Sequence, residues 1–364
     1  MDNRTFILMV VYNKIQYDAR VIRSAEALSN LSENIKVISC NSDIKFKNEK
    51  FKSIVYTSGL KESLLLFSFW IYIFKYSILN RNEIKLLYVH DYYLSYVGKI
   101  ISKLIKVKWV YDAHELLLER KKYKHSSRQK FFKFLEKKAI VKADLVIAAN
   151  EEREKIIKFI YKLKNTISVL NIAPQIISSN NNIGKEDFIV YQGAMTEGRN
   201  ISYFIKILQY LPARIKLKLI GTGPDVDLYK KMVKELSLID RVIFTGMIPY
   251  SQILNESKNC KLGIVYYKLA GLNNFYCSPN KIYEYAQLQI PMLVSTQPFL
   301  KQITTKYHIG EVLEISNNIE EHACLIIKIM NNHASYEQGM IKFLSDFTYE
   351  NEMRKLQESI SSII

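Results

Sequence analysis

The chain has 364 residues, 48% of them hydrophobic, with only 12 Gly and 7 Pro; this supports one or two packed cores, with ordinary domain size favouring two, and excludes collagen-like, linker-rich and disordered classes. The formal net charge of +17 is unevenly spread, since residues 1–180 hold 32 Lys and Arg against 17 Asp and Glu, whereas residues 181–364 hold 20 against 18. A basic first half implies a polyanionic neighbour (anionic lipid headgroups, a pyrophosphate-linked acceptor or nucleic acid), unless its lysines only solvate the surface.

From the N-terminus, Met1-Asp2-Asn3-Arg4 leads directly into an apolar run too short for a signal peptide, which gives the expectation of a cytoplasmic protein. Short β-branched or apolar runs then alternate with longer helical patterns, the mark of βαβ units and parallel sheets. In the first half the expected strands are 6–11, 35–39, 53–56, 86–90, 108–111, 145–149 and 167–170. In the second they are 188–192, 216–220, 242–245, 262–265 and 292–294. The longest apolar stretch, LLLFSFWIYIF at 64–74, is about half of the roughly 20 residues a membrane-spanning helix needs, and reads as a core helix or a membrane-dipping element. A polar Ser/Asn-rich segment at 174–184 marks the hinge. The expected division is thus 1–174, 185–345 and a C-terminal helix over 346–364 that packs back on the first domain. Cys40, Cys260, Cys277 and Cys324 lack the close pairing of zinc or redox sites and read as reduced, mostly buried thiols.

In doubly wound sheets, ligands sit beyond the carboxyl ends of strands, so the residues just after each strand carry the chemistry. Asp18-Ala19-Arg20 opens the first helix, where Asp18 suits a cap and Arg20 a cleft-lining cation. His90-Asp91 and His114-Glu115 follow two strands; an imidazole there hydrogen-bonds a substrate hydroxyl or serves as an ordinary buried group. In Tyr191-Gln-Gly-Ala-Met-Thr-Glu-Gly-Arg-Asn200, Gly193 and Gly198 permit close backbone approach and Arg199 places a cation where a diphosphate lies, or the segment is a turn with a solvated arginine. In Ser278-Pro279-Asn280-Lys281-Ile-Tyr-Glu284, a cation suited to phosphate and a carboxylate suited to ribose hydroxyls share one face of a helix's first turn; a local ion pair is the plainer reading. Between 120 and 138, RKKYKHSSRQKFFKFLEKK is a basic amphipathic helix candidate for docking on an anionic membrane, or a core helix with solvated lysines.

These segments resemble glycosyltransferase family 4 and its relatives of the GT-B fold, nearly end to end. The carriers are DARVIRSAEAL (18–28), VHDYYLSYVGKI (89–100), WVYDAHEL (109–116), FLEKKAIVKADLVIAAN (134–150), YQGAMTEGRN (191–200), LIGTGPD (219–225), RVIFTGMIP (241–249) and PNKIYEYAQLQIPMLVS (279–295), of which PNKIYEY and YDAHEL are the more specific. The resemblance implies an α/β fold of two Rossmann-like domains whose parallel sheets face across a cleft. It implies sugar transfer from a nucleotide-sugar donor to a glycan or lipid-linked acceptor, with anomeric retention and neither cofactor nor metal. Arg199 and Lys281 then neutralise the departing diphosphate, while Glu284 takes the ribose. Gly246, Met247 and Ile248 contact the base, Gly221 and Gly223 shape the loop over the nucleotide, and His114 faces the donor sugar. Many members carry an acidic residue eight positions before the ribose-binding glutamate; here Tyr276 stands there, which leaves donor identity and mechanism open. Cell-surface polysaccharide assembly and a peripheral position on the inner membrane face complete the expectation. A transferase-like scaffold without activity is the alternative. A basic nucleic-acid-binding protein is another, though no RRM, KH or helix-turn-helix signature supports it.

Overall fold

The first strand, β1 (Phe6–Val11, FILMVV), is buried at all six positions, as a strand must be when helices cover both faces of its sheet. The computed structural model describes residues 4–31, 34–42, 46–116, 127–175, 185–316 and 318–364; most of the expected hinge, and residues 120–126 of the basic segment, lie outside these. The chain divides into two compact units, one of Met1–Asn171 with Glu350–Ile364 and one of Ile172–Tyr349.

The first unit continues with β2 (Ile35–Cys40), β3 (Lys52–Tyr56), β4 (Ile84–His90), β5 (Lys108–Ala113), β6 (Leu145–Ala148) and β7 (Thr166–Ser168). They form one parallel sheet in the order β3-β2-β1-β4-β5-β6-β7. Between β1 and β4 the strand order reverses, and such a switch point opens a crevice at the carboxyl ends. The terminal helix Tyr349–Ser361 packs on this unit. It anchors through Leu170 N–H to Glu352 Oε2 at 2.6 Å and through Gln357 Nε2 to Ala27 O at 2.7 Å.

The second unit repeats the plan with β8 (Glu186–Gln192), β9 (Lys216–Ile220), β10 (Val242–Gly246), β11 (Cys260–Val265), β12 (Met292–Val294) and β13 (Gly310–Val312). Its parallel order is β10-β9-β8-β11-β12-β13, with the reversal between β8 and β11. Every strand expected from the sequence is present, with ends shifted by a residue or two; those expected at 145–149 and 167–170 stop at Ala148 and Ser168. The edge strand β13 was not expected. Its three residues include Glu311 and a glycine, so it lacks the apolar run that marked the others.

The 64–74 stretch lies in one helix, Glu62–Leu79, whose Leu66, Phe69 and Ile73 are buried while Leu64, Phe67 and Ile71 are exposed. Among the described residues no helix is long and apolar enough to cross a membrane. In the basic segment, the helix Ser127–Ile140 buries Phe132 and Leu135 but exposes Phe131 and Phe134, so neither reading of its phenylalanines holds for all of them. Cys40, Cys260 and Cys277 are free and buried, and Cys324 is free and exposed.

Candidate active site

In the second unit, the candidate residues gather at the carboxyl ends of β8 to β11. β8 ends on Gln192, and the chain turns at Gly193, whose φ of 125° lies in the region that glycine alone enters at low cost. Close approach explains the two glycines after β9. A Cβ on Gly221 (φ 126°) would stand 2.3 Å from Gly193 O, and one on Gly223 would stand 2.1 Å from Met195 O. These two loops therefore touch backbone to backbone, closed by Gly193 N–H to Ile220 O and Met195 N–H to Thr222 O, both at 2.9 Å. Gly246 joins the same row, its carbonyl accepting from Gly221 N–H at 2.9 Å, with Met247 exposed and Ile248 half-buried just beyond it. Gly198 has room for a side chain, since a Cβ there would meet only Thr196 and Asn274 atoms, at 3.8 and 3.9 Å.

Arg199 ends a single 3-10 turn after this loop, and Lys281 begins the helix Lys281–Gln287, where the backbone N–H groups of Tyr283 and Glu284 bond Asn280 O. Pro279 precedes that turn, and Ile282 N–H bonds its carbonyl at 3.2 Å. The Arg199 guanidinium carbon lies 3.8 Å from the centre of the Tyr267 ring, while Lys281 Nζ lies 4.2 Å from the Tyr191 ring centre and 5.5 Å from that of Tyr267. Aromatic faces hold cations by their negative quadrupole but do not neutralise them. Lys281 is 7% exposed. Burial, and then the nearby charge of Arg199, hold its ammonium well below the usual lysine range, against the opposing pull of Glu284. Among the described residues, Arg199 Nη1 is buried without a hydrogen-bond partner. Half-buried Arg199 and buried Lys281 thus share an aromatic corner with one carboxylate nearby among the described residues, a set short of negative charge. Glu284, 2% exposed, accepts from Gln192 Nε2, and Gln192 Oε1 accepts from Ser257 Oγ at 3.3 Å. Tyr276 sits half-buried just after the short helix Leu272–Phe275.

The first unit brings a second group together at its own switch point. Arg20, on the helix Ala19–Leu28, forks onto Asp112 of β5, with Nε 3.0 Å from both oxygens and Nη2 2.7 Å from Oδ1, while Nη1 donates to Val169 O at 2.9 Å. On its other side Asp112 Oδ2 meets the Tyr88 hydroxyl at 3.2 Å and His90 Nδ1 at 3.3 Å. His90 Nδ1 is in turn 3.1 Å from His114 Nε2. Burial alone would raise the Asp112 carboxyl; Arg20 and the His90 hydrogen bond override it and hold it well below the usual range. Burial also pushes the His90 imidazole down, against the opposing pull of Asp112. The chain Arg20–Asp112–His90–His114 therefore orients His114, the half-buried member, while Arg153 Nη1 ties down its carbonyl at 3.0 Å.

His90, Asp112 and His114 also bring one donor atom each within 4.8 Å of one another, a spacing that an ion can bridge. The donor set does not suit one. Both Asp112 oxygens are already engaged, and an ion would stand beside a fully buried guanidinium.

Of the remaining candidates, Asp18 caps the first helix, accepting from Val21 N–H at 3.3 Å. Arg20 is 7% exposed and its guanidinium is engaged within the first unit. Asp91 caps the helix Tyr92–Ile105 with the unusual φ of 61°, and Glu115 is half-buried beside His114. Asp112, Gln192, Tyr191 and Tyr267 were missed. Asp112 and Gln192 did carry a signal: each is a polar residue that follows a buried apolar run, Trp109–Tyr111 or Ile189–Tyr191, near the carboxyl end of its strand.

Residues 173–342 match the family model for glycosyl transferases group 1. No curated protein matches the chain. Among solved structures, it is similar to Anabaena HepE in complex with UDP and glucose (15% identity, 99% of this chain and 100% of that one, TM-score 0.76). It is likewise similar to sucrose-phosphate synthase from Thermosynechococcus elongatus (16%, 99% and 99%, 0.75) and to WaaG, a glycosyltransferase involved in lipopolysaccharide biosynthesis (11%, 96% and 98%, 0.70). The family match thus covers most of the second unit, and the two parallel sheets in this order give the chain the GT-B fold of these solved structures.

Proposed function

We propose that this protein is a glycosyltransferase that moves a hexosyl or deoxyhexosyl group from a nucleotide-sugar to a glycan or lipid-linked acceptor, with retention and without a bound metal, in cell-surface polysaccharide assembly. The observation that carries this reading is the placing of half-buried Arg199 and buried Lys281 together on the Tyr191 and Tyr267 rings. A diphosphate supplies the negative charge that corner lacks, and the two cations stabilise it as it departs, the task a divalent ion performs in other transferases. Glu284, held by Gln192, takes the ribose hydroxyls. Gly193, Gly221 and Gly223 let the backbone close on the nucleotide, and the segment Gly246, Met247 and Ile248 meets the base. His114, oriented through His90 and Asp112, hydrogen-bonds a sugar hydroxyl. UDP in the structures of HepE, and UDP with alpha-GlcNAc-glycerol in that of S. aureus TarM, support a nucleotide-diphosphate donor. The basic first unit rests on the inner, anionic face of a membrane.

A thermal-shift panel of UDP-, GDP-, ADP- and dTDP-sugars tests the donor site, because a ligand bound only by the folded state raises the melting temperature. At least one is expected to stabilise the protein and to release its nucleoside diphosphate when acceptor glycans are added. No shift with any of the four, at millimolar ligand, overturns the proposal.

A further inference from the structure

The outward faces of three neighbouring helices in the first unit are far more apolar than a solvated surface requires. On Glu62–Leu79 the described exposed positions are Leu64, Phe67, Ile71, Lys75 and Leu79. On Tyr92–Ile105 they are Ile100, Lys103 and Leu104. On Ser127–Ile140, apart from Ser127, they are Lys130, Phe131, Phe134, Lys137 and Lys138. The helices lie side by side. Trp70 Nε1 donates to Tyr93 O at 2.9 Å across the first pair, and the Phe132 ring meets those of Tyr92 and Tyr93 edge-on at 5.6 and 5.2 Å across the second. Their exposed stripes therefore belong to adjoining helices.

Each stripe follows helical spacing of three or four residues, so these side chains are exposed by register rather than scattered singly. Exposed apolar side chains grouped in this way on adjoining helices mark an interaction surface. Its charge identifies the occupant. Every exposed charged side chain described on these three helices is a lysine, and the only carboxylate described within them, that of Glu136, is buried against the Tyr111 and Tyr161 hydroxyls. A second copy docking face to face would set lysines against lysines. A nucleic acid would leave the phenylalanines and leucines unsatisfied. An anionic lipid bilayer matches both features, taking the apolar side chains at the acyl boundary and the lysines among the headgroups.

We infer that this three-helix face is a membrane-docking surface, with Leu64, Phe67, Ile71, Phe131 and Phe134 inserted and Lys130, Lys137 and Lys138 on anionic headgroups. The inference specifies the membrane contact proposed above and rests on that part of the reading, not on the donor site. The inner residues Leu66, Phe69 and Ile73 hold the first helix to its sheet, so the face lies along the membrane plane instead of entering as a span.

Co-sedimentation of the full chain with vesicles of phosphatidylglycerol and phosphatidylcholine, against pure phosphatidylcholine, tests it. The expected result is binding to the anionic vesicles that weakens with salt. Each lysine at such a surface is worth about fivefold in partitioning; the double variant Lys130→Glu, Lys137→Glu is thus expected to bind at least about 25-fold more weakly. Phe67→Ser with Phe131→Ser is expected to lose about tenfold or more. Thermal shifts with nucleotide-sugars report the donor site separately and are expected to be unchanged in both variants. Wild-type protein that ignores anionic vesicles, or variants that bind them as well as wild type, would overturn the inference. So would a concentration-dependent dimer in sedimentation equilibrium that Phe67→Ser dissolves, which would assign the face to a second copy.

Discussion

Replacing Lys281 by Met probes the donor corner in two opposite directions. Lys281 lies in a buried site with Arg199 nearby, and its proton is held less tightly than in the unfolded chain. In the folded protein the cost of that charge is full below the depressed pKa. It fades as pH rises from there toward the ordinary lysine value of 10.5, because the unfolded chain binds more protons across that window. Met fills a similar volume without charge, so Lys281→Met is expected to raise the stability of the ligand-free protein by about 1 to 3 kcal/mol at pH below the depressed pKa, and by less above it. Donor binding is expected to move the other way. Removing one partner of a buried charge contact costs about 3 to 5 kcal/mol, which weakens a nucleoside diphosphate by at least about 100-fold. In the wild type a diphosphate favours the charged amine, so binding takes up as much as one proton and affinity falls as pH rises through the depressed pKa. Calorimetric titrations with UDP and GDP, run in buffers of different ionisation enthalpy, measure both affinity and uptake. A Met variant that binds within threefold of wild type, or a wild type that binds with no proton uptake at any pH, would refute the reasoning.

Four further results are expected. Asp112→Asn leaves the buried Arg20 guanidinium without its counter-charge and is expected to cost about 3 to 5 kcal/mol in urea unfolding; a loss below 1 kcal/mol would contradict the chain of contacts described. Burial pushes the Glu136 carboxyl up to about 7, against the hydrogen bonds from Tyr111 and Tyr161. Its penalty is therefore absent below the unfolded value of 4.5 and grows as pH rises toward 7, to about 3 kcal/mol. Glu136→Gln should accordingly stabilise the protein at pH 8 and leave it nearly unchanged at pH 4, as guanidinium melts at both values would show. Gly223→Ala sets a Cβ against the Met195 carbonyl; it is expected to lower the melting temperature by several degrees and to weaken nucleotide binding, whereas Gly198→Ala, where space is open, is expected to do neither. Finally, turnover is expected to be insensitive to EDTA, and restoration of activity by added divalent ions after chelation would reverse that view.

The strands were legible because parallel strands covered on both faces must be nearly continuous apolar runs, as in FILMVV and LLYVH. β13 escaped because an edge strand of three residues, Gly310–Val312, needs only one partner and little apolar surface. Arg199, Lys281 and Glu284 could be read from their place after strands and at a helix start. Tyr191 and Tyr267 could not, since aromatic residues at strand ends look like core. Asp112 was hidden inside the YDAHEL motif, and its partner Arg20 lies 92 positions away in sequence. Only the fold joins them, although a carboxylate at a buried strand position always demands such a partner. The apolar stripe on Glu62–Leu79 was blurred for a related reason: a helix apolar all round shows no periodicity from which its outer face can be told.

A crystal structure of the full chain with a nucleoside diphosphate tests the donor corner most directly. The pyrophosphate is expected within hydrogen-bond reach of both the Lys281 amine and the Arg199 guanidinium, with the ribose at Glu284. A nucleotide bound elsewhere, or phosphates that leave both cations stacked on their tyrosines untouched, would contradict it.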